Sequence, residues 1–161
     1  MARPDLQTRL VRLSRLAAAE PHAVVAGVLV LPILNLAKRT GRKRLASRIE
    51  RWLRGSQNPE PRTTAVAESK RVGEAIAVGA KLWRLSDSSC VARSALAHAL
   101  LVRRGIDAQI RVGLAPNRTT AHAWVEVEGV PIDDAPDVAR RYLAFDQNLP
   151  TAFSKKAEPE R

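Results

Sequence analysis

A thiol, an imidazole and a carboxylate in this chain stand where together they could carry out acyl transfer. Cys90 is the sole cysteine, in "DSSCVARSALAHALLVRRG" (87–105), where a polar run turns into an apolar helix. A thiol attacks as its thiolate, and a helix N-terminus stabilises that anion through its dipole and free N–H groups. The same N–H groups can hold the oxyanion of a tetrahedral intermediate. His122 lies in "AHAWVEV", on the strand face opposite Ala121, Ala123, Val125 and Val127, so it does not enter the apolar face with them. A strand midpoint is a rigid place from which to aim an imidazole as general base and acid. The competing reading is a cysteine packed like alanine and a structural histidine. His22 and His98 belong to that structural class, and His98 is too far along the helix to pair with the thiol.

The acid that would orient His122 is Asp133 or Asp134, and the turn before them separates the two. A two-residue Glu128–Gly129 turn pairs Val127 with Val130 and places Asp133 opposite Trp124, on the histidine's face. A three-residue turn, Val127 to Gly129, pairs Glu126 with Val130 and places Asp134 across from His122. A one-residue slip flips the face, so only one of the two can orient the ring. Spacing alone leaves both open.

The elements that must position these groups are legible as hydrophobic periodicity. "DLQTRLVRLSRLAAAE" (5–20) puts Leu6, Leu10, Leu13 and Leu16 on one face and arginines on the other. An apolar run, 23–34, is interrupted by Pro32 and is shorter than the ~18 residues of a membrane span. It reads first as a buried helix and second as a membrane-surface or partner-docking element, because basic segments flank it. A basic helix follows at 41–55, with Leu45, Ile49, Trp52 and Leu53 on one side. A polar, proline-bearing linker (56–64) precedes another helix at 65–83. The Cys90 helix starts after the capping residues Asp87, Ser88 and Ser89, buries Ala92, Leu96, Ala99 and Leu100, and stops at Gly105. Strands follow at 108–114, 121–129 and 130–134. The fold class is α+β, with N-terminal helices ahead of a cysteine-bearing helix packed on a small antiparallel sheet. The expected organisation is a basic helical region over 1–62, a core over 63–153 and a charged tail from Ser154.

Composition sets outer bounds. The chain has 161 residues, 45% of them hydrophobic, and a formal net charge of +11. One cysteine allows no internal disulfide, and no CxxC pair or Cys/His cluster has metal-ligand spacing. The N-terminus is charged throughout and lacks a signal peptide's apolar core, so a cytoplasmic location is expected. The basic balance suits nucleic acid, an anionic membrane or an acidic partner. Arginine excess is also what a GC-rich genome writes by codon bias, so charge alone decides nothing. No helix-turn-helix, RNA-binding or zinc-finger signature is present, and 4% aromatic content offers few stacking platforms for bases. A non-catalytic basic binding module is the main alternative; it predicts salt-sensitive binding indifferent to Cys90.

"CVARSALAHALLVRRGIDAQIRVGL" followed by "AHAWVEVEGVPIDD" resembles the transglutaminase-like cysteine protease superfamily. More narrowly it resembles the leader peptidase of lasso-peptide biosynthesis, the C-terminal half of that family's B protein. The match runs from about Val72 to Asp134. It implies a transglutaminase/papain-like core with Cys90 as nucleophile, His122 as general base and acid, and Asp134 as orienting acid. That choice of acid favours the three-residue turn. Val91 stands where a leucine is usual. The resemblance implies no cofactor, although ATP stimulation stays open, and the substrate would be a precursor peptide of leader and core. The N-terminal 60 residues read as helices, with no winged-helix recognition module, so a separate leader-binding protein is expected, with an ATP-dependent macrolactam cyclase downstream. A superfamily acyltransferase, passing the acyl group to an amine instead of water, is the other enzymatic reading.

Overall fold

The computed structural model describes residues 6–55, 66–85, 89–116 and 120–145. The expected linker, the capping residues Asp87 and Ser88, and the tail from Ser154 lie outside the described residues. The helices are α1 (Leu6–Ala19), α2 (Pro21–Val25), a π-helical turn (Ala26–Val30), α3 (Leu31–Arg39), α4 (Lys43–Arg54), α5 (Val66–Leu82), α6 (Cys90–Arg103) and α7 (Val138–Arg141). The strands are β1 (Gln109–Leu114), β2 (Ala121–Val127), β3 (Val130–Pro131) and β4 (Leu143–Ala144), in sheet order β3-β2-β1-β4 with every pairing antiparallel.

The central element is α6. Ala92, Leu96, Ala99 and Leu100 are buried as their spacing predicts, and so are Ala95, Ala97 and Leu101, because other helices and the sheet cover this helix on several sides. It ends where Gly105 adopts a φ of 76°, a left-handed conformation that costs glycine little. One hydrophobic core runs from Leu16 in α1 through α5 and α6 to Val125, Val127 and Ile132. A buried ion-pair network ties the start of α2 to α6. The Glu20 carboxylate, 4% exposed, accepts from Arg104 at 2.6 Å, and Arg104 also reaches Glu68 at 3.0 Å.

Pro32 does not end its helix. The chain stays helical from Pro21 to Arg39 and is long and apolar enough to cross a membrane. Proline has no N–H, so the carbonyl four residues earlier, on Val28, loses its helical donor. The wider π turn takes up the misfit, and the Trp83 indole N–H donates to the Val28 carbonyl at 2.7 Å. The expectation of a buried helix holds for only one face of this rod. Ala23, Ala26, Gly27, Leu31, Leu34 and Ala37 are buried, whereas Val25, Leu29, Ile33 and Leu36 are exposed. The rod lies close against α5 because Gly27 meets Gly79: a Cβ on Gly79 would sit 2.1 Å from the Gly27 carbonyl oxygen. Likewise α4 packs through Ala46, Glu50 and Leu53, leaving Leu45 and Trp52 exposed rather than on the packing face.

Candidate active site

Cys90 is the first residue of α6, 7% exposed, with buried Ser89 at the N-cap position. One turn further, the Ser94 hydroxyl lies 3.0 Å from the Ala123 carbonyl, so this face of α6 is held against β2 beside His122. From the turn between, Arg93 reaches Asp134 at 3.4 Å. The start of the cysteine helix is thus tied to the strand that carries His122 and to the acid beyond it.

His122 Nε2 and Asp134 Oδ2 are 2.7 Å apart. With the carboxylate on Nε2, the other ring nitrogen, Nδ1, is the one left to exchange a proton with a nucleophile. Tyr142 stacks on the imidazole with ring centroids 4.8 Å apart, and Trp124 lies beyond at 6.3 Å. Gly113 makes the Tyr142 seat. It is the cross-strand partner of His122, and a Cβ there would come within 3.0 Å of Tyr142 Cβ and 2.9 Å of the Leu143 carbonyl. Trp124 is fully buried and Glu126 is 9% exposed, so the histidine's side of the strand is closed rather than open. There Glu126 accepts from the Trp124 indole at 2.8 Å and pairs with Arg111 at 3.0 Å.

The turn between β2 and β3 is the two-residue one, not the three-residue turn that the choice of Asp134 had favoured. Val127 pairs with Val130, and Glu128 and Gly129 have φ of 53° and 74°, as a type I′ turn requires. Continued as a ladder, this register would put Asp133 on the histidine's face, but the ladder stops. Ile132 N–H still donates to the Val125 carbonyl, while the return bond from Val125 N–H goes at 2.7 Å to the Asp133 carboxylate instead of the Ile132 carbonyl. That carbonyl faces α5 at Gly73, where a Cβ would lie 2.2 Å from it. Asp133 therefore turns inward to Val125 and Ser94, and the chain beyond it delivers Asp134 to His122. The geometric premise failed while the residue chosen is the one that meets the imidazole.

The two acids sit in opposite electrostatic environments. Burial pushes the Asp133 carboxyl up to about 6, against hydrogen bonds from Val125 and Ser94. Partial burial would also raise Asp134, but the Ala135 N–H, the bond to His122 and the charges of His122 and Arg93 outweigh it and hold that carboxyl below the ordinary range. Arg141 adds a further cation 3.6 Å from Asp134. His22 is exposed on α2, and His98 is a half-buried side chain whose pKa is lowered by burial and by nearby Arg54; the structure brings neither to this site. Arg93, Ser94 and Tyr142 are site residues that sequence reading missed. For Tyr142 the available signal was Gly113, a glycine inside a strand pattern.

A family model described as the transglutaminase-like superfamily matches residues 27–145, most of the chain. The chain belongs to that superfamily, which includes cysteine proteases and acyltransferases. No curated protein and no solved structure matches it significantly.

Proposed function

We propose that this protein is a cysteine peptidase that removes the leader from a ribosomally made lasso-peptide precursor, with Cys90, His122 and Asp134 as its triad. The observation that carries the reading is the Nε2-to-carboxylate bond of His122 and Asp134 on a strand held against the cysteine helix. Cys90 thiolate attacks the carbonyl at the leader–core junction, forming a tetrahedral intermediate whose oxyanion faces the free N–H groups at the start of α6. His122 donates a proton to the departing core amine, leaving the leader as a thioester on Cys90. It then takes a proton from water, which hydrolyses the thioester and frees the thiol. The described N-terminal segment, 6–55, is helical and packs on the core; in this reading a separate binding protein recognises the leader. The freed core amine passes to an ATP-dependent cyclase. This chemistry belongs in the cytoplasm, where the precursor is made.

The test incubates the purified chain with a candidate precursor peptide, with and without a leader-binding protein, and reads the products by mass spectrometry. Cleavage at one bond that disappears in Cys90→Ala, with an unchanged melting temperature, supports the reading. Product masses showing an amine adduct in place of a free carboxylate would make the protein an acyltransferase. Cleavage that survives Cys90→Ala would refute the assignment.

A further inference from the structure

The rod Pro21–Arg39 presents a face that the other described residues leave uncovered. Val25, Leu29, Ile33 and Leu36 recur at helical spacing and are 55%, 59%, 53% and 62% exposed. No charged residue occurs between Ala23 and Ala37. A surface helix ordinarily turns polar side chains outward; this one turns out aliphatic ones over ~16 Å of its length. At the end of α5, exposed Leu82 and Trp83 extend the patch, since Trp83 is bonded to the rod at Val28. That bond satisfies the indole N–H.

The rims are cationic. Arg42, Lys43 and Arg44 follow the rod directly, and Lys81 and Arg84 flank Leu82 and Trp83; all five are exposed. No acidic residue occurs at positions 21–49 or 75–86. A second copy seated on this face by two-fold symmetry would bring like rims together on chains of net charge +11. Protein interfaces centre on aromatic and arginine anchors, whereas this face is branched aliphatic at its centre and basic at its edges. That is the pattern of a helix lying in the headgroup region of an anionic bilayer. The rod cannot span one as folded, because its other face is packed on α5.

We propose that the exposed face of Pro21–Arg39, with Leu82 and Trp83, docks the protein on anionic membrane surfaces. The proposal stands independently of the catalytic reading, and Cys90→Ala binds as the unsubstituted chain does. The test co-sediments the full chain with vesicles of phosphatidylcholine, with and without phosphatidylglycerol, and follows tryptophan emission. Binding is expected only when phosphatidylglycerol is present, falling as salt rises. Lys43→Gln with Arg44→Gln should weaken it by ~25-fold, at about fivefold per cation removed. Leu29→Ser with Ile33→Ser should weaken it by roughly tenfold without changing the melting temperature, since both side chains are exposed. Absence of binding, equal binding to neutral vesicles, or insensitivity to both double variants would overturn the proposal. So would an association of chains abolished by Leu29→Ser with Ile33→Ser in a protein that ignores vesicles; that would make the face a protein interface.

Discussion

Asp133→Asn removes one charge and keeps the side chain's shape, and the structure dictates the consequence. Asp133 Oδ1 accepts from Val125 N–H at 2.7 Å, and Oδ2 lies 3.0 Å from Ser94 Oγ. Ser94 Oγ is also 3.0 Å from the Ala123 carbonyl, yet a hydroxyl has one proton to give. Beside an ionised Asp133, that proton can serve only one of two acceptors. A protonated Asp133 instead donates to Ser94, Ser94 donates to Ala123, and every group in the chain is satisfied. Asparagine reproduces this state at any pH: its NH₂ donates to Ser94 and its carbonyl accepts from Val125.

The magnitude follows from the carboxyl's position at about 6, against 3.8 without the fold. Between these values the folded chain holds a proton that the unfolded chain has released, so stability falls as pH rises. Above about 6 the full penalty is in place, on the order of 3 kcal/mol. For a chain of this size that corresponds to ~6–12 °C in melting temperature. Asp133→Asn is therefore expected to melt higher than wild type at pH 8, with the difference shrinking toward pH 4, as scanning calorimetry across this range would read. It should also keep the activity proposed for Cys90. The same change at Asp134 should lower turnover by ~10²–10⁴-fold, because the amide cannot fix the imidazole as a carboxylate does. A lower melting temperature for Asp133→Asn at pH 8, or a difference that ignores pH, would refute the proton accounting. Inactive Asp133→Asn beside active Asp134→Asn would exchange the roles of the two acids.

Tyr142→Phe should retain activity, because the ring stacked on His122 survives, whereas Tyr142→Ala should lose roughly five- to tenfold in kcat, the worth of one aromatic pair. A Phe variant as impaired as Ala would show that the hydroxyl, not the stacking, is what matters. Gly73→Ala should cost ~1–3 kcal/mol by overpacking, since its Cβ would lie 2.2 Å from the Ile132 carbonyl. Because that carbonyl belongs to the segment carrying Asp133 and Asp134, activity should fall along with denaturant stability; full activity would show that α5 does not set the acid's position.

What the sequence revealed of this site is what neighbours in the chain decide among themselves. Ser89 beside an apolar helix locates Cys90, and alternation in "AHAWVEV" sets His122 apart from the valines. The features that stayed hidden are settled by residues far away. Pro32 looks like a break until Trp83, on another helix, supplies a donor for the Val28 carbonyl. Asp133 and Asp134 look interchangeable until Gly73, on α5, lets the Ile132 carbonyl leave the ladder. The two-residue strand β4 has no periodicity to read, and its pairing with β1 brings Tyr142 over the imidazole. Each hidden contact is a place where a missing atom makes room: the absent N–H of Pro32, and the absent Cβ of Gly73 and Gly113. Glycine and proline inside regular elements therefore carried the long-range information, and they point to the same acid and imidazole that the local patterns single out.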